Sequence, residues 1–465
     1  MPSHKEICDA CTLGGSFPIR GEGLSRRRLF RVAGSAIVGS YFADVLIPPR
    51  LEAAAAPALQ GTARNCIFVF MSGAPSHSDT WDLKEGAWTP AAFAPTSFGG
   101  VRFAQGLMPK IAGQLDKFVF VRPVLSWAAV HSLAQTWAQK SRNPTGVLGD
   151  VSPHIGAVVS LESQAQRKPG DILPGFVGLG TSSMIGSGYM SSRYAPLVVP
   201  SVSTTGLQSV KPPNAAVFAE RYSLLQTLDT DRAPGSPYGD VPADMADFYT
   251  QAKALADSPT INATFSYNAA DYARYGSTQF GATAIIAKQL LAANQGTRFV
   301  QLTVGGWDNH ANIYAANAGL TTQMKFFDPA IGTLVADLAA TPGAAAGKTL
   351  LDETLVVLIG EFGRTVGPVN AQGGRDHFQR MSVAFAGGGV RGGRAIGVTD
   401  ATANKVVDFG WSGNRDIRIE DLTSTIYSAL GIDYTTVLHN DPIGRGYEYV
   451  PFAKDGVYRP VAEIF

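Results

Sequence analysis

Residues 300–310, VQLTVGGWDNH, constrain the fold of this chain more than any other stretch. An apolar run stops at two glycines, and an aspartate and a histidine follow two residues apart. A continuous apolar run of this length fits a strand buried on both faces, with polar groups hanging from its carboxyl end. Three other stretches repeat the plan: 66–82 (CIFVFMSGAPSHSDTWD), 121–131 (VRPVLSWAAVH) and 355–377 (LVVLIGEFGRTVGPVNAQGGRDH). Strand patterns are expected at 66–71, 118–121, 299–304 and 355–359, with another beginning at 381–385. Helical patterns fall after 131 and at 272–294, 326–338 and 420–430. The alternation predicts an α/β fold, a mostly parallel central sheet flanked by helices, whose strand ends converge on one polar site able to bear a metal.

Residues 165–265 are richer in Gly, Pro, Ser and Thr and lack long clean periodicity. They read as an irregular insert or cap over or beside the sheet. Fifty-one glycines and 28 prolines in 465 residues also suit many loops around a sheet rather than a helix bundle. The glycine run at 387–393 lacks the order of a phosphate-cradling loop and reads as a turn.

The N-terminus reads as a targeting segment. SRRRLFR at 25–31 precedes a mildly apolar stretch, and the small residues of LEAAAAPALQG offer a cleavage site near Ala54–Ala56. The paired arginines point to the twin-arginine export machinery as a partner, and so to a periplasmic or secreted location. Residues 1–56 hold seven Lys/Arg and five Asp/Glu, so removing them takes the formal charge from +1 to −1. A nearly neutral mature chain, residues 57–465 as a single large domain, has no broad basic surface for nucleic acid. No later run is long and apolar enough for a transmembrane helix. Cys8 and Cys11 fall in the targeting segment, and Cys66 sits in an apolar run as a buried small hydrophobe.

Candidate site residues come from the strand exits. Asp308 and His310 suit a borderline divalent metal, although Asp308 can instead cap a following helix. Asp376 and His377 close the loop after the 355–359 strand, and His131 offers a third imidazole. Glu361, immediately past that strand, can be a metal ligand, a general base or the partner of Arg364. Arg364 and Arg375 can receive an anionic small molecule or polymer through paired charge-assisted bonds. Ser72 and Ser76 are the foremost candidate nucleophiles and His77 a candidate base or ligand; a hydroxyl needs such a neighbour to react. Asp79 reads as a ligand or a turn residue.

The same segments, with EDLTSTIYSALGID near the C-terminus, LPGFVGLGTSSMIGSGYMSSRYAP and YGSTQFGATAIIAKQLL, resemble the DUF1501 proteins. Those are exported bacterial proteins placed within the alkaline phosphatase/sulfatase-like superfamily. The resemblance implies an alkaline phosphatase-like core, with metal ligands and a nucleophile at the carboxyl ends of strands and phosphate or sulfate esters as substrates. It puts Asp308 and His310 where an Asp/His ligand set is expected, with Glu361 and His377 at later acidic and histidine positions. The aspartate common at the end of the first strand is absent, Ser72 and Gly73 taking its place, and no Cys/Ser-x-Pro-x-Arg motif marks a formylglycine sulfatase. Three functions follow as expectations: a phosphate or sulfate ester hydrolase or transferase using a divalent metal (zinc, calcium, magnesium or manganese), a non-catalytic exported binding or assembly protein, and a cofactor-dependent redox protein.

Overall fold

A computed structural model describes residues 59–207, 214–228 and 241–465. The targeting segment, with its arginine pair and Cys8–Cys11, lies outside the described residues. Eight strands build the central sheet: β1 (Asn65–Met71), β2 (Phe118–Leu125), β3 (Phe176–Leu179), β4 (Leu197–Val199), β5 (Phe299–Val304), β6 (Thr354–Ile359), β7 (Arg380–Ala386) and β8 (Arg394–Ile396). Their order across the sheet is β8-β2-β7-β6-β1-β5-β3-β4. β1 lies between β5 and β6, parallel to both, with Cys66 opposite Phe299 and Leu355. β5–β3, β3–β4 and β8–β2 are also parallel. β7 alone runs antiparallel, between β6 and β2. The expected mostly parallel sheet is therefore what forms.

Five helices matter for the site and the core: α1 (His131–Lys140), α2 (Ile155–Glu162), α3 (Gln279–Ala293), α4 (Gly319–Ala340) and α5 (Ile419–Ala429). Successive residues of a strand point to opposite faces, so an all-apolar strand feeds two cores. Ile67, Val69 and Met71 join a cluster completed by α3 and α4. Cys66, Phe68 and Phe70 join another completed by Val158 of α2, Ala138 of α1 and the apolar residues of α5. Thr278 starts α3 by accepting the Gly281 N–H at 3.1 Å. The helix ends at Asn294 in the left-handed region, two residues before the glycine expected to stop it. No described helix is long and apolar enough to cross a membrane.

The Gly/Pro-rich region 165–265 is less irregular than its composition suggests. It supplies β3 and the edge strand β4 as well as helices Ala215–Leu228 and Val241–Asp257. Strands of four and three residues are too short to leave a clear pattern; β3 takes its register from β5 beside it, and β4 takes its register from β3.

Strand direction fixes the location of the site. β1, β5 and β6 are parallel, and two antiparallel steps through β7 give β2 the same direction. The exits of all four, and the chain entering β7, thus open on one edge of the sheet.

Candidate metal centre

Each exit loop brings one or two polar side chains to that edge. β2 leads to His131, the first residue of α1, and β5 leads to Asp308 and His310. Past β6 come Glu361 and Arg364, then Asp376 and His377, the latter paired across a two-residue ladder with Arg364. Glycines let these loops touch. A Cβ on Gly73, whose φ is +111°, would lie 2.7 Å from the Asp308 nitrogen and 2.9 Å from that of Trp307. A Cβ on Gly374 would lie 2.0 Å from the His310 carbonyl carbon. Only a residue without a side chain permits either approach.

Three imidazoles and a carboxylate meet there. The Nε2 atoms of His131 and His377 are 3.0 Å apart, and those of His310 and His377 are 3.1 Å apart. Asp308 Oδ1 is 2.9 Å from His310 Nε2, 3.4 Å from His131 Nε2 and 3.6 Å from His377 Nε2. His131, Asp308 and His377 each offer a ligand atom within 4.8 Å of the other two. Buried Phe362 supports the cluster from below, its ring 4.8 Å from that of His131 and 4.7 Å from that of His377.

The other nitrogen of each ring decides the chemistry. His131 Nδ1 lies 2.7 Å from Glu361 Oε1, and His310 Nδ1 lies 2.8 Å from Asp376 Oδ1. His377 Nδ1 lies 2.9 Å from the Ala129 carbonyl, which can only accept. All three Nδ1 atoms therefore donate, so that each ring in its neutral form turns an Nε2 lone pair towards the others. One proton can satisfy a single pair of these nitrogens, whereas a central cation satisfies three nitrogens and a carboxylate oxygen together. Histidine ligands backed at the far nitrogen by carboxylates or carbonyls are the usual arrangement around a metal. Tetrahedral bonds of about 2.05 Å place neighbouring ligand atoms about 3.3 Å apart, and the separations here fall either side of that. The donor set fits a divalent ion.

Electrostatics agree. Partial burial works against charge on Asp308, but the hydrogen bond and positive charge of Arg364 hold its carboxyl below the usual range. Arg364 Nη2 donates to Asp308 Oδ1 at 2.6 Å. The hydrogen bond from His310, then that from Asn370, keeps Asp376 below its usual value as well. The four clustered side chains retain between 26% and 47% of their accessible surface, so a small molecule can reach them.

Several expected residues are engaged elsewhere. Arg375 is fully buried and all five of its N–H groups are occupied, by Asp79 twice, by the Thr365 and Gly367 carbonyls and by the Tyr314 hydroxyl. Arg364 spends its donors on the Ala74, Gly73 and Arg375 carbonyls, on Asp308, and at 3.4 Å on His310. Neither guanidinium is free to receive an anion. Ser76 is buried and donates to Asp79 at 2.6 Å. His77 is buried against Phe378, with Nε2 3.2 Å from the Ala403 carbonyl, and burial pushes its pKa down to about 4. Both residues are thus withheld from the histidine cluster. Glu361 is no partner for Arg364: its Oε1 instead accepts from the Gly73 N–H, His131 Nδ1 and Gln135 Nε2. Asp308 does not cap a helix, since Ala318 stands at the start of α4.

Ser72 is half-buried at the rim, its hydroxyl accepting from Gln135 Nε2 at 3.0 Å. Gln135 and Asn370 were not among the expected site residues. Gln135 stands four residues after His131, hence on the same helical face, and that spacing was the available signal. Asn370 Nδ2 donates to the His310 carbonyl at 3.1 Å and to Asp376; it sits in a loop with no periodicity to reveal it.

Among solved structures, the chain is similar to Ps i-CgsB, with 10% identity and a TM-score of 0.41, over 84% of this chain and 77% of that one. It is also similar to the lipoteichoic acid synthase LtaP from Listeria monocytogenes, with 10% identity and a TM-score of 0.35 over the same shares. A protein in the alkaline phosphatase superfamily from Vibrio parahaemolyticus matches with 9% identity and a TM-score of 0.38, over 81% of this chain and 69% of that one. No curated protein matches the chain in sequence. Residues 63–451 match the family described as a protein of unknown function, DUF1501, and the chain belongs to that family.

Proposed function

We propose that this protein is an exported, metal-dependent hydrolase or transferase of phosphate or sulfate esters, with an alkaline phosphatase-like core in residues 57–465. The observation that carries the reading is the convergence of three Nε2 atoms on Asp308, each ring fixed at its Nδ1 by Glu361, Asp376 or the Ala129 carbonyl. His131, Asp308, His310 and His377 would hold the ion. Three imidazoles and one carboxylate suit zinc, or manganese less well, rather than calcium or magnesium, which take oxygen donors. A bound divalent ion supplies Lewis acidity towards an ester oxygen and towards water.

The chain's own residues do the rest. Glu361 and Asp376 keep the imidazoles in the Nδ1–H form, and Arg364 keeps Asp308 ionised. Gln135 links the Ser72 hydroxyl to Glu361 at 3.0 Å on each side, so Ser72 is the hydroxyl best placed to take part. Export rests on the arginine pair Arg26–Arg27 within SRRRLFR.

A second reading, an exported binding or assembly protein, draws support from the saturation of Arg364 and Arg375, which leaves neither free to clamp an anion. One screen separates the two. Zinc-loaded protein assayed against nitrophenyl phosphate, phosphodiester and sulfate should turn over at least one ester, with loss in His377→Ala. Metal binding without turnover of any ester would favour the binding protein. Replacing Arg26 and Arg27 by lysine should leave the precursor in the cytoplasm; normal export would refute the route.

A further inference from the structure

Trp137 of α1 lines a cleft of about 650 Å³ that contains none of the metal-centre residues. Its volume is within the range of small-molecule sites. Trp127, Trp137, Phe452 and Tyr458 form aromatic walls. The two indoles stack, centroids 5.7 Å apart, and both direct their Nε1–H to the buried carboxylate of Glu420, at 2.9 Å from Trp127 and 2.8 Å from Trp137. Arg418 covers Trp127 at 4.0 Å. These contacts hold the indoles rigid before any ligand arrives, which lowers the entropy cost of binding.

Two features mark the cleft as more than a gap in packing. Phe452 keeps 56% of its surface exposed while its backbone sits at φ +58°, a conformation a bulky residue rarely adopts. The Arg445 side chain and the Tyr458 hydroxyl line the cleft and make no hydrogen bond among the described residues. The lining charges cancel, Arg142 and Arg445 against Glu420 and Glu448, so the cleft attracts neither anions nor cations as such. What it offers is apolar flat walls edged by donors and acceptors together.

We propose that this cleft is a binding site for a neutral sugar ring. A pyranose has apolar C–H faces to lay on aromatic walls and hydroxyls that donate and accept at its edge, which matches the mixed rim. The inference stands apart from the metal reading, since it uses none of its residues.

The test is titration of the full chain with maltotriose, cellotriose and tri-N-acetylchitotriose, followed by tryptophan fluorescence and calorimetry, with adenosine as a planar aromatic comparison. At least one trisaccharide should bind saturably and change the fluorescence. Trp137→Ala and Arg445→Ala should each weaken that binding about tenfold or more. The Arg445 side chain makes no hydrogen bond or ion pair among the described residues, so its variant keeps the test decisive if Trp137→Ala does not fold. Absence of saturable binding by all three sugars, binding unchanged in Arg445→Ala, or binding of adenosine in their place would overturn the proposal.

Discussion

Replacing Glu361 by glutamine removes a charge and little else. The side chain is fully buried, and its Oε1 accepts from the Gly73 N–H at 2.9 Å, His131 Nδ1 at 2.7 Å and Gln135 Nε2 at 3.0 Å. A glutamine carbonyl can keep all three bonds, so the fold should survive. The loss is the difference between charged and neutral bonds, about 1–2 kcal/mol, together with the basicity that the carboxylate lends to His131 Nε2. Changes behind metal-ligating histidines lower affinity about 10–100-fold, or about 1.4–2.7 kcal/mol, and the two figures overlap. Zinc titration against a competing chelator should therefore show affinity reduced about 10–100-fold in Glu361→Gln. The stabilisation conferred by excess zinc should shrink by the same free energy. A folded variant binding zinc as tightly as the parent would refute the idea that Glu361 acts through His131.

Gly73→Ala should lower stability by more than ~1 kcal/mol from the positive φ alone, and should weaken zinc binding because the new methyl meets the Asp308 and Trp307 backbone; denaturant unfolding and the same titration check both. Arg375→Met strands Asp79 in the interior and should cost about 3–5 kcal/mol, read from urea unfolding, while the Asp79→Asn/Arg375→Met pair should lose less. Burial lowers the His77 pKa from 6.5 to about 4 and that of His154 from 6.5 to about 3. The unfolded chain then takes up protons as pH falls through 6.5 while the folded chain does not, so stability falls from about pH 7 towards pH 4, by up to about 1.4 kcal/mol per pH unit for each histidine. His154→Asn keeps an acceptor for the Gly156 N–H now bonded to the imidazole and should flatten that slope in melting curves from pH 7 to 4; an unchanged slope would contradict it.

The sheet was legible because four of its strands are apolar runs cut off by glycine, serine or charge, a pattern that gives both the strand and the end carrying chemistry. The observed β5 spans the expected 299–304, and β1, β6 and β7 start one residue earlier than expected. His131, Asp308, His310 and His377 could be nominated because each follows such an exit. Partner choice was not legible. Arg375 and Asp79 lie 296 residues apart, and His131 and Glu361 lie 230 apart. Nothing local distinguishes an arginine that will be buried on an aspartate from one left open to a ligand. β3 and β4 went unseen for a related reason: strands of four and three residues, the first paired on β5 and the second on the first, carry too few side chains to show a period.

The central claim is that the three Nε2 atoms face a cation. It is tested most directly by element-resolved mass spectrometry of protein incubated with zinc and dialysed, beside the His131→Ala/His377→Ala double variant. The account predicts about one zinc per chain in the parent and none retained in the variant. A parent that emerges free of metal, or a variant that holds as much as the parent, would contradict it.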